Sequence, residues 1–249
     1  MAKSYKVTFA DKFDDSAFGE KPFAFELQMQ IEGTKPGPQT QIHRSYANIT
    51  FRDFQPYDIQ HEYDVHMWGR LYDDEKSFSK FIARSEIRAY HSKSERILLL
   101  CGKKADILDF CKKTEDFPHI KLRTMQIDMK QLQERLPEVR GAWFRFRAGY
   151  IRAKAYMGQQ IQDTPEYRDA TNEGDISTLS FYFEDSRSGA IHPIQITEDG
   201  AIVLQKNYGS IEDELDFVLH VKNTLLEGIY SLAAPARSRR GGAEMPRMK

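Results

Sequence analysis

Cysteine is scarce: Cys101 and Cys111 are the only two in 249 residues, which excludes a disulfide framework and a four-cysteine zinc site. No apolar run approaches the ~20 residues that a membrane-spanning helix needs. The N-terminal residues 1–7 carry two lysines but no apolar stretch behind them, so no signal peptide is visible. These absences lead to the expectation of a soluble, cytoplasmic protein with no membrane partner. The chain also lacks a G-x-S-x-G nucleophile elbow, a G-x-x-x-x-G-K-[ST] phosphate loop and a G-x-G-x-x-G dinucleotide fingerprint. It has no internal repeat, and almost no net charge, with 36 Lys and Arg against 37 Asp and Glu.

Aromatic residues make up 12% of the chain, more than a largely disordered protein carries. Charge is informative by region. Residues 139–162 contain no acid, while Arg140, Arg145, Arg147, Arg152 and Lys154 give them a charge of +5. Acids then dominate from Asp163 to Asp185. The last 15 residues hold Arg237, Arg239, Arg240, Arg247 and Lys249 against Glu244 alone, a net of +4. Such segregation sets up local fields in a nearly neutral protein.

Hydrophobic periodicity divides the chain into a β-rich N-terminal region (residues 1–75), an α+β domain (76–232) and a basic disordered tail (233–249). Residues 23–31 alternate apolar and polar with period two, and residues 46–54 and 63–71 do so less cleanly. Residues 72–77 are polar and mark the boundary. The run 97–101, Ile-Leu-Leu-Leu-Cys, suits a strand covered on both faces. A helix over 103–114, a strand over 120–127 and a short helix capped by Asp128 complete a βαβα unit. Residues 142–157 read as strand with a turn or bulge at Gly149. Residues 179–184, 190–197 and 201–205 read as a meander turned by Ser186–Gly189 and Glu198–Gly200. Ser210 caps a long C-terminal helix over 211–227, stopped by Gly228. The fold class expected is therefore α+β: a β-rich N-terminal region, a βαβα unit, an antiparallel sheet and a long C-terminal helix.

The stretch 140–156 carries the most chemistry. Ala142, Phe144, Phe146 and Ala148 are apolar at even positions; after Gly149 the parity reverses to Ile151, Ala153, Ala155 and Met157. A bulge at Gly149 would restore one buried face, because a one-residue slip flips every side chain. The other face would then carry Arg145, Arg147, Arg152 and Lys154 between Trp143, Tyr150 and Tyr156, with Arg140 at its start. Cations neutralise phosphates and flat rings stack on unpaired bases, so this face suits DNA or RNA. Arg237, Arg239 and Arg240 in the tail add auxiliary phosphate contacts. The bland alternative is a solvated strand whose arginines pair with the acidic segment that follows.

Other motifs are weaker. His61 and His66 stand five apart in His-Glu-Tyr-Asp-Val-His, whereas a zinc helix needs four. Residues 99–106, Leu-Leu-Cys-Gly-Lys-Lys-Ala-Asp, resemble the strand–turn–helix opening of Toprim nuclease and topoisomerase domains through Gly102-Lys103 and Asp106. The chain departs from that family at Cys101, where the family has its metal-binding glutamate. Asp128 also stands alone where the family has paired aspartates. Asp128-Met129-Lys130 likewise resembles the end of a PD-(D/E)xK nuclease signature, without an upstream aspartate to complete it. No catalytic residue, cofactor or metal ligand is assigned. The resulting expectation is a non-enzymatic nucleic-acid-binding protein whose grip is salt-sensitive and largely sequence-independent. An interaction subunit that docks a protein partner through the same Arg, Tyr and Trp residues is the alternative. A metal-dependent nuclease with carboxylates gathered from distant segments is the third.

Overall fold

The computed structural model describes residues 2–19, 21, 23–26, 38–71, 74–147 and 150–233. Among them, thirteen strands form one sheet in which every pairing is antiparallel. In chain order the strands begin with β1 (Lys3–Phe13), β2 (Phe23–Glu26), β3 (Gln39–Arg44), β4 (Phe54–Leu71), β5 (Asp74–Ser92) and β6 (Ile97–Cys101). Helix α1 (Lys104–Lys113), β7 (Ile120–Ile127) and α2 (Met129–Arg135) follow. Then come β8 (Gly141–Arg145), β9 (Ala153–Met157), α3 (Pro165–Glu173), β10 (Asp175–Asp185), β11 (Ala190–Thr197), β12 (Ala201–Leu204), α4 (Ile211–Val221) and β13 (Tyr230–Ala233). The spatial order is β2-β3-β4-β5-β6-β1-β12-β11-β10-β8-β9, with β7 branching from β1 and β13 pairing β7.

β1 is the hub. One edge pairs β6 from Tyr5 to Phe9. The other edge pairs β12 from Lys3 to Lys6 and then β7 from Thr8 to Phe13. Apolar side chains leave the sheet on both faces. Leu98 and Leu100 pack with Ile107, Phe110 and Cys111 of α1 in one core. Ile97 and Leu99 belong to a larger core with residues of α2, α3 and α4. The unbroken apolar run in β6 is explained by this double burial: its first four residues are no more than 2% exposed.

The expected α+β class is overturned, because antiparallel sheet dominates and the four α-helices among the described residues are short. The βαβα unit fails for a specific reason: β6 and β7 flank β1 and do not pair with each other. Residues 72–77, read as a boundary, fall at the β4–β5 connection, with 74–77 inside β5. The long C-terminal helix is also absent. Ser210 does cap α4, its hydroxyl accepting from Asp213 N at 3.1 Å. The α-helix nevertheless ends at Val221 after 11 residues, and Lys222–Leu226 widen into a π turn. Asn223 accepts from Lys222 Nζ at 2.8 Å, and Thr224 Oγ1 lies 3.4 Å from His220 Nδ1. The meander β10–β12 lies where the turn residues placed it; Ala233, the first residue of the expected tail, ends β13, and residues 234–249 lie outside the described residues.

Candidate functional site

β8 and β9 pair as two antiparallel strands, in which Gly141 opposes Met157, Trp143 opposes Ala155 and Arg145 opposes Ala153. Opposed residues share a face, and here positions of equal parity oppose one another. Trp143 and Arg145 therefore stand on one face with Ala153 and Ala155. Lys154 and Tyr156 stand on the other, opposite Phe144 and Ala142. A bulge in one strand would have aligned all the cations. The chain instead reverses direction between β8 and β9, and the basic and aromatic residues are divided between two faces.

The residues divide further by partner. Tyr156 packs toward the large core, its ring 5.7 Å from that of Phe144 and 6.5 Å from that of Tyr167. Lys154 lies over the Phe146 ring at 5.2 Å. Arg140 pairs with Glu138 at 3.1 Å and sits 5.1 Å from the Tyr182 ring. Arg145 is ion-paired with both carboxylate oxygens of Glu198, in the turn between β11 and β12. Burial raises the Glu198 pKa, and Arg145 opposes that rise. Arg147 pairs with Asp175 at 2.9 Å. Arg152 donates to the Arg147 carbonyl at 3.1 Å, while its own carbonyl accepts from Phe146 N at 3.0 Å. These two bonds tie the end of the hairpin together.

What projects is the apex. Tyr150 is fully exposed, Ile151 is 55% exposed and the Arg147 side chain is 86% exposed, with Arg152 beside them. β9 is the last strand of the sheet path, and its Met157 is 68% exposed. Ile151 and Met157 escaped the sequence reading because the inferred bulge placed them on the buried face. Arg237, Arg239 and Arg240 fall outside the described residues.

The remaining sequence motifs serve the fold. His61 is buried, with Nδ1 2.8 Å from Thr40 Oγ1 and Nε2 3.0 Å from Asp109. Asp128 accepts from Lys130 N and Gln131 N, both at 3.1 Å, as the cap of α2. Those backbone bonds, Gln131's first, hold its carboxyl below the usual range. Burial raises the thiol of Cys101 and pushes that of Cys111 up to about 12, which makes both weak nucleophiles. Among the described residues no group of three His, Cys, Asp or Glu side chains is placed to hold a metal ion, and no helix is long and apolar enough to cross a membrane. No protein-family model matches the chain, and no curated protein is significantly similar to it.

Proposed function

We propose that this is a protein-docking subunit whose contact element is the apex and outer edge of the β8–β9 hairpin. The observation that carries the reading is the projection of Tyr150, Ile151 and Met157 into solvent at the end of the sheet. An outermost strand offers unpaired backbone groups to an incoming strand. Tyr and Arg around an apolar centre form the composition of binding hot spots. The partner that fits is an extended protein segment with apolar side chains for Tyr150 and Ile151, and with a carboxylate for Arg152.

Nucleic acid is the competing partner, and the ion pairs weigh against it. Arg145 and Arg147 already face Glu198 and Asp175, so the local field is much weaker than the count of arginines suggests. Tyr156 is packed away from any base. The readings separate by experiment. A photo-crosslinker at position 150 is used to identify the bound molecule, and the affinity of the purified pair is then measured. Docking predicts that Tyr150→Ala or Ile151→Asp weakens binding on the order of 30-fold, while salt has a shallow effect. A steep loss with salt, collapse in Arg145→Glu/Arg147→Glu and tolerance of Tyr150→Ala would establish polyanion binding instead.

A further inference from the structure

Four strands on the opposite flank of β1 carry a polar row. His43 opposes Asp58, Asp58 opposes Arg88 and Arg88 opposes Cys101, crossing β3, β4, β5 and β6. Directly opposed residues project from one face. The alternate residues Ile42, Ile59, Ile87 and Leu100 are buried on the other face with α1. The polar row lines a cleft of about 490 Å³. Asp58 and Arg88 also line an adjoining cleft of about 290 Å³, beside residues 45–49 and the first turn of α4. These volumes suit a small molecule.

Three features mark this cleft. Asp58 and Arg88 have opposite charges and oppose each other directly, yet among the described residues neither side chain forms an ion pair or hydrogen bond. Glu86 and Gln60, opposed in the next row, are equally unpartnered among the described residues. Nδ1 of His43 is buried without a hydrogen-bond partner. Lys3, at the cleft's rim, is held by the buried Glu214.

We propose that the cleft binds a small zwitterion of amino-acid type, its carboxylate on Arg88 and its ammonium between Asp58 and Glu86. A guanidinium presents a planar fork of donors that matches a carboxylate, and an ammonium donates to carboxylates on more than one side. Opposed side chains on neighbouring strands start about 5 Å apart, so Asp58 and Arg88 present both charges within the span of one amino acid. His43 lines the same cleft, so its ring resonance reports on the bound ligand. The cleft and the β8–β9 apex share no residue, so either proposal can fail without the other.

The test uses the purified full chain. Free L-amino acids are titrated to about 10 mM by calorimetry, with histidine-ring NMR alongside and acetate and ethylamine as single-charge controls. The expected result is binding of at least one amino acid with a shift of the His43 ring resonance. Arg88→Gln and Asp58→Asn should each weaken that binding on the order of tenfold while melting as the wild type does. The single-charge controls should bind more weakly still. The proposal is overturned if no amino acid binds, if the controls bind as well, or if both folded variants bind undiminished.

Discussion

Lys6 sits in the strand at the centre of the sheet, 2% exposed, and an ammonium so placed requires a counter-charge. Asp199 supplies it from 193 positions away, with Nζ 3.1 Å from Oδ2. The same carboxylate accepts from Lys104 at 2.9 Å and from Thr197 Oγ1 at 2.6 Å. Burial alone would raise the Asp199 pKa; Lys6, Thr197 and Lys104 overcome it and hold the group at about 2. The folded value lies below the ordinary 3.8, so this carboxylate's contribution is complete above about pH 4 and is lost as pH falls toward 2. Asp199→Asn should cost about 3 kcal/mol at neutral pH, because it leaves the buried Lys6 ammonium without a counter-charge. It should also flatten the loss of stability between pH 4 and 2, as followed by urea unfolding at each pH. Next door, Gly200 has φ +81°, and a Cβ there would lie 2.7 Å from Met125 Cβ. Gly200→Ala should destabilise by about 2 kcal/mol in the same assay, through both clash and strain.

Caps and turns are short-range features, and several were legible. Ser210, Asp128 and the turns at 186–189 and 198–200 use chemistry that acts within three or four residues. Ser210→Ala should lower stability by about 1 kcal/mol, read from the thermal midpoint, because Asp213 N loses its acceptor. The double burial of β6 was also readable, since a fully apolar run has no face left for water. The division of the basic stretch was not. A parity reversal around glycine fits either a bulge or a hairpin, and only the pairing of β8 with β9 decides which side of the sheet Lys154 and Tyr156 take. Within that hairpin, Tyr150→Ala and Ile151→Asp should leave the melting temperature within about 2 °C of wild type, because exposed side chains contribute little to folding. Their effect should fall on partner affinity.

At the scale of the whole molecule, the architecture depends on which strands meet. β1 joins β6, β7 and β12, whose opposed residues lie some 90 to 200 positions away in sequence. Local periodicity carries no record of such pairing, so the sheet looked like separate β and α+β regions. The cleft lined by His43, Asp58, Arg88 and Cys101 escaped notice for the same reason, as these four residues come from four different strands. Because one ladder runs from β2 to β9, residues 1–75 should not unfold apart from the rest. Near-UV and far-UV circular dichroism should report a single shared transition, and Leu99→Ala should shift both by the same amount, at a cost of about 3 kcal/mol. The docking role of the sheet's far edge is tested most directly by a photo-crosslinker at position 150, with the partner then purified and its affinity measured. Docking requires a protein adduct whose affinity falls on the order of 30-fold with Ile151→Asp. A nucleic-acid adduct, or a protein bound equally well by the Ile151→Asp variant, would contradict it.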